Sequence, residues 1–444
     1  MVESEEPFLA EYFKDSPVLE EKLRTVMGRV FLNLSQYGKA EMYLRRAHDL
    51  SFHHLGPMDP DTLQLQVYLA ILDRRMGYYK KALTNLENTG VNQWQVLGER
   101  HPDYLANLAA QANLLLQLYR YKDSVLLHEH VLALMAVSPE VESTQVLVVL
   151  AGYAMALGSV GQVEQAIPLI QQTIKEQARI LGENHPYVWN NYHNLAILLN
   201  KRGEIVKANA MLEKVLEHRT KHLKRSHKRT METLRVLASS YHNQGRHQEA
   251  LPLLQEVILF LKTNHPHHPD LGKALNVFSN ILKVTHDYEG AEKVTRELVA
   301  FRFDCSGVRS RETLRSQNNL ADLYLKSGQL ELAEKLASQI LNIRIETEGY
   351  ISSGVVFSLQ TLGQIREARG KDSTEFFESA WEIAGNPFIN NDLLAAYCQG
   401  LYGKALIQKG NYSGARELLE NSLASFPDVN HAWAREICGV LENL

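Results

Sequence analysis

The sequence predicts an all-helical repeat array, and three residue series in one phase carry that prediction. Small residues recur every 42 positions at Gly28, Ala70, Ala112, Ala154, Ala196 and Ala238. The series slips by one residue to Ser279, resumes at Ala321 and Gly363, and ends at Gly403 after a two-residue deletion. A second series, twelve residues further on, reads Ala40, Ala82, Ser124, Ala166, Ala208, Ala250, Ala291, Ala333, Glu375 and Ala415. Between them stands a turn glycine, five residues before the second small position: Gly77, Gly161, Gly203, Gly245, Gly328, Gly370 and Gly410.

Each unit is expected to be a helix, a tight turn and a second helix. Around the first small residue the apolar spacing is helical, as in Leu234, Leu237 and Tyr241. The glycine ends that helix in a left-handed conformation. A second amphipathic helix follows, for example Ala250, Leu251, Leu254, Val257, Ile258 and Leu261. The two small residues should face each other where the helices cross, with no room for a long side chain at Ala238. The link to the next unit is phased too: Leu55-Gly56, Leu97-Gly98 and Leu181-Gly182 close one helix, and Pro60, Pro102, Pro186 and Pro269 open the next. The third unit lacks the turn glycine and has Ser124, the seventh has His286 at the turn, and the ninth has Glu375, so its second helix is expected to be shifted or rotated.

The array spans residues 19–425 as ten units, preceded by residues 1–18 as an N-terminal segment or partial cap (Phe8, Leu9, Tyr12, Phe13). Residues 426–444 read as a C-terminal capping helix with Ala432, Trp433, Ile437, Val440 and Leu441 on its apolar face, since a repeat array needs covered ends. At 444 residues a single core would normally divide, but an array packs only on its neighbours. Apolar residues at 45%, charged residues at 22% and a formal charge of −4 fit a globular protein with no general pull toward nucleic acid or anionic membranes. Three widely spaced cysteines, an acidic N-terminus and no long apolar run point to a reducing, cytoplasmic setting without a membrane span.

The pieces Leu181-Gly-Glu-Asn-His-Pro186, His193-Asn-Leu-Ala196 and Asn318-Asn-Leu-Ala-Asp-Leu-Tyr324, followed by Gly328 and Ala333, resemble the tetratricopeptide repeat (TPR) in its 42-residue, kinesin-light-chain-like form. The resemblance implies a right-handed α-solenoid of helix pairs, with the first helix of each pair lining a concave groove that receives partner segments. The heptad segment of kinesin light chains is absent, so a motor-subunit role is not supported.

Phases that face the groove in this family fall here on His193, Asn194, Asn200 and Lys201 in the fifth repeat, and on Arg235, His242 and Asn243 in the sixth. The seventh and eighth give Asn276, Asn280 and Lys283, then Arg315, Asn318, Asp322 and Lys326; Arg74 and Arg75 are equivalents in the second. Carboxamides both donate and accept, so such a ladder suits a peptide backbone, and the cationic excess suits a net-acidic partner. No catalytic motif, nucleotide loop or cofactor motif occurs. His218, His222 and His227, and His265, His267 and His268, lack a full ligand set and read as solvated loop residues rather than metal ligands. The basic run Lys221–Arg229 reads as a solvated loop, with an acidic partner or phosphate as the alternative. The expectation is a non-catalytic protein–protein interaction scaffold without cofactors. Its alternatives are the sensor portion of a signalling enzyme, or a receptor for a peptide or small ligand. Oligomeric state is not legible.

Overall fold

In a computed structural model that describes residues 13, 16–389, 391–426 and 432–442, the described residues form 21 helices and no strand. The first five pairs are α1 (Pro17–Asn33) with α2 (Tyr37–His54), α3 (Pro60–Met76) with α4 (Tyr79–Leu97), α5 (Pro102–Gln117) with α6 (Tyr121–Ala136), α7 (Ser143–Ser159) with α8 (Val163–Leu181), and α9 (Pro186–Arg202) with α10 (Ile205–Leu223). The next five are α11 (Lys228–Asn243) with α12 (His247–Asn264), α13 (Pro269–Val284) with α14 (Tyr288–Ser306), α15 (Arg311–Lys326) with α16 (Leu330–Glu348), α17 (Ser353–Ala368) with α18 (Thr374–Ala384), and α19 (Asp392–Gln408) with α20 (Tyr412–Ala424). A last helix, α21, runs Ala432–Leu441. Of the proposed N-terminal cap, Phe8, Leu9 and Tyr12 lie outside the described residues.

The turn inside each pair is set by packing more than by local sequence. The residue five before the second small position is left-handed in all ten repeats, including the three without glycine: Ser35 (φ 60°), Tyr119 (62°) and His286 (64°). An L side chain there costs about 1–2 kcal/mol. The buried helix crossing holds the turn regardless. At the crossing of α11 and α12, Ala238 and Ala250 are fully buried. The hydroxyl exceptions are accommodated by a shared device: Ser124 Oγ donates to the Ala112 carbonyl (2.7 Å), and Ser279 Oγ to that of Ala291 (3.5 Å). Each bonds the small residue it faces, so no buried hydroxyl is stranded.

The ninth repeat shifts. Its turn is longer, α18 begins at Thr374, and Phe377 takes the inward position while Glu375 is exposed. A Cβ on Gly363 would lie 2.7 Å from the Phe377 ring, so glycine on the first helix makes room for the large residue on the second. At the C-terminal end, α21 packs on α19. Trp433 stacks on Tyr397 at 4.6 Å, Ile437 is fully buried, and a Cβ on Gly400 would meet its side chain at 2.3 Å.

The helix entries revise the reading of the loop histidines. His101, His185, His227 and His268 each accept, through Nδ1, the backbone N–H two residues on, at 3.1–3.2 Å. They are N-caps standing immediately before the first helical residue. His268 is buried rather than solvated, and His218 stacks on Trp189 at 4.0 Å.

The chain gathers into two compact units, Met1–Leu271 and Gly272–Leu444. Unit 1 closes on itself. Lys228 Nζ, at the start of α11, donates to the Arg75 carbonyl at the end of α3 (2.8 Å), 153 residues away, and lies 3.0 Å from His268 Nε2. Tyr37 meets His265 (5.2 Å) and Tyr79 meets His268 (6.3 Å). A cavity of about 380 Å³ lies along this seam, lined by Tyr37, Met76, Tyr78, Lys228, Phe260 and His265 among others. Unit 2 contains the seventh to tenth repeats, apart from the first residues of α13, and α21.

Candidate interaction surfaces

Closure brings charged residues of α3, α10, α11 and the start of α13, with polar residues of α9, into the interior of unit 1. Arg219, from α10, is only 3% exposed. It donates to the Arg229 carbonyl (2.7 Å), to Thr233 Oγ1 and to Asn190 Oδ1 (both 2.8 Å). Arg229 donates to the same Asn190 oxygen at 2.8 Å. Arg235 Nε lies 3.9 Å from Asp270, and Lys228 Nζ lies 4.0 Å from Glu232. Arg74 and Arg75 enter from the last turn of α3 and interact electrostatically with Arg229 and Glu232. Two of the five basic residues in the run read as a solvated loop, Lys228 and Arg229, therefore point inward, while Lys221, Lys224 and Arg225 stay exposed and Arg225 pairs with Glu256 (2.7 Å).

Burial and crowding show in the titration of these groups. Burial, then the Arg75 guanidinium, brings Arg74 down to about 10, and burial brings Arg219 to about 10. Burial raises Glu232, but Lys228, Arg219 and Arg75 outweigh it and hold the carboxyl below its usual range. Burial, helped by Arg219, depresses His193 to about 3. His128, buried against the Ser124 carbonyl at 2.7 Å, is lowered by burial to about 4, and His265 by burial and Lys228 to about 4.

These three histidines have folded-state values below the ordinary 6.5, so the unfolded chain binds more protons in that interval. Their stabilisation is complete above about pH 6.5 and is lost as pH falls toward 4 and below. Thermal unfolding followed from pH 7.5 to 4.5 is expected to show a falling Tm, with a shallower slope for His128→Gln. A Tm that is flat across that interval contradicts the assignment.

The ladder read from sequence sits mainly in ties between successive repeats. In unit 1, His193 is buried, Asn194 donates to Asn191 (3.4 Å), and Asn200 Oδ1 accepts from Ser240 (2.9 Å). Lys201 donates to the Gly158 carbonyl (2.9 Å) and to Ser159, while His242 lies 3.2 Å from His247 across ring nitrogens. Asn243 is exposed at the end of α11. In unit 2, Lys283 and Lys326 share the Asp322 carboxylate at 3.0 and 3.5 Å. Asn318 donates to Thr361 (2.9 Å), Asn276 and Asn280 are half-buried, and Arg315 and Lys326 are exposed. Asn276, Asn280, Lys283, Asn318, Asp322 and Lys326 thus run along α13 and α15, whereas Arg219, Lys228, Arg229 and Asp270 form an interior cluster absent from the sequence-based ladder. The only sequence signal for that cluster is the basic run itself.

Among the described residues, no group of three or more His, Cys, Asp or Glu could hold a metal ion, and no helix is long and apolar enough to cross a membrane.

Family models for the tetratricopeptide repeat match residues 145–221, and residues 230–270 and 313–352. No curated protein matches the sequence. Solved structures do. A putative kinesin light chain from Podosopora anserina with nearly identical TPR-like repeats is 25% identical over 47% of this chain and 99% of that chain, with a TM-score of 0.41. RapI in its apo form is 11% identical over 76% of this chain and 96% of that chain, with a TM-score of 0.55. A signal transduction ATPase with numerous domains and a tetratricopeptide repeat sensor, from Pyrococcus horikoshii, is 15% identical, covering 92% of this chain and 55% of that chain, with a TM-score of 0.52. With ten helix pairs in a 42-residue phase and family models matching in three stretches, this chain is built of tetratricopeptide repeats.

Proposed function

We propose that this protein is a non-catalytic interaction scaffold that binds an extended, net-acidic segment of a partner protein along the first helices of unit 2. Tetratricopeptide repeats are generally protein-interaction modules. The observation that carries the finer reading is the row on α13 and α15. There Asn276 and Asn280 are half-buried, two lysines share the single carboxylate of Asp322, and Arg315 is exposed. Amides spaced along a helix can bond both the N–H and the carbonyl of an extended backbone. The lysine not balanced by Asp322, together with Arg315, favours negative side chains on that segment. In unit 1, Lys201 and Asn243 offer exposed groups of the same kind.

Arg315 and Lys326 suit a test because neither is buried. On an array of extended peptides of graded charge, the wild-type chain is expected to retain net-acidic members. The Arg315→Glu, Lys326→Glu variant is expected to lose about tenfold or more in affinity for them with its Tm little changed. Retention that is indifferent to peptide charge, or unaffected by the double reversal, overturns the reading.

A further inference from the structure

The interior of unit 1 has more positive charge than its own carboxylates match. Arg74, Arg75, Arg219, Lys228, Arg229 and Arg235 surround Glu232 and Asp270, the two carboxylates that recur in their electrostatic environment. The partners of some of these cations are accounted for, as the bonds of Arg219 and Arg229 to Asn190 show. Others are not. Arg74 Nε is buried with no hydrogen-bond acceptor, Arg235 Nε has Asp270 at 3.9 Å but no hydrogen bond, and His193, itself 8% exposed, has no partner for Nδ1. Glu232 and Arg235 keep side-chain exposures of 31% and 19%, so solvent reaches them. A buried N–H without an acceptor costs about 1–3 kcal/mol, and guanidinium groups pressed together add repulsion. A folded chain that holds this arrangement is short of an anion.

We infer that the interior of unit 1 is a binding site for a compact oxyanion carrying more than one negative charge, held by Arg74 and Arg235 with Arg75 and His193 beside them. Arginine dominates the cluster, and its planar fork matches phosphate or carboxylate oxygens in pairs. The seam formed by Lys228, His268 and Tyr37 closes unit 1 around the cluster, which favours a compact anion over a threaded chain. The site shares no residue with the surface proposed on α13 and α15, so either can fail alone.

The test uses the full chain, with pyrophosphate and citrate as probes at matched ionic strength, so that general screening is constant. Pyrophosphate is expected to raise Tm with the logarithm of its concentration above Kd, by about 3 °C at roughly 100 times Kd. Citrate matching it shows a site that takes carboxylate and phosphate oxyanions alike, and citrate inert assigns it to phosphates. In the Arg74→Gln, Arg235→Gln variant the anion response is expected to vanish, while Tm without anion stays at or above the wild-type value because the frustration is relieved. Should that variant not fold, Arg235→Lys keeps the charge but loses the fork, and calorimetric titration is expected to show about tenfold weaker pyrophosphate binding. No response of the wild type, or an equal response of the double variant, overturns the proposal.

Discussion

Gly77→Val is expected to destabilise unit 1 by about 3–5 kcal/mol, through two separable effects. Gly77 sits at φ +95°, where a β-branched residue is strained. A Cβ there would also lie 2.4 Å from Pro269 Cδ and 3.2 Å from the His268 Cα, so it wedges the seam that closes unit 1. Gly203 supplies the control. It has nearly the same conformation, at φ +89°, but nothing lies within 4 Å of its Cβ position. Gly203→Val should therefore cost only the strain, about 1–3 kcal/mol. Chemical unfolding measures the difference, and hydrogen exchange should show new opening at the start of α11 and the end of α3 for the Gly77 variant alone. Equal costs at the two glycines contradict the closure of unit 1.

Arg219→Ala is expected to cost about 2–4 kcal/mol. Its guanidinium ties α10 to α9 and α11 by bonding Asn190, the Arg229 carbonyl and Thr233 from one buried position. Removal takes one buried donor from each of those acceptors, although Arg229 still bonds Asn190, and opens a void where the side chain packed. The sign separates it from Arg74, whose Nε has no acceptor and whose neutralisation should not destabilise the chain. Denaturant unfolding of the single variants checks the contrast. An Arg219→Ala variant as stable as wild type would remove this residue from the framework of unit 1.

The fold was legible because the repeat's demands are local and periodic. Close crossing of two helices calls for small residues such as Ala238 and Ala250, and spacing alone reveals them. Even the exceptions obey the crossing, as Ser124 does through the Ala112 carbonyl and Gly363 does by admitting Phe377. Tyr119 shows where local signals end: nothing in its type announces a left-handed turn, which the packed pair imposes. The histidine caps had a signal in the His-Pro pairs at His101 and His185, but reading His227 and His268 as solvated missed that a neutral Nδ1 accepts as well as a serine oxygen. The interior cluster was illegible for a different reason. Lys228 and Arg75 are 153 residues apart, and a period describes neighbours, not a return of the chain on itself. Sequence could not reveal that residues at the groove phases bond one another across successive repeats, as Lys283 and Asp322 do.

Site-specific photo-crosslinking tests the central claim most directly. A photoreactive residue placed at Asn280 on α13, or at exposed Lys293 on the second helix α14, would be challenged with a bound acidic peptide. The account predicts crosslinks from position 280 that disappear with the Arg315→Glu, Lys326→Glu reversal, and none from position 293. Crosslinks from position 293 alone, or from both positions regardless of the reversal, would contradict binding along the first helices of unit 2.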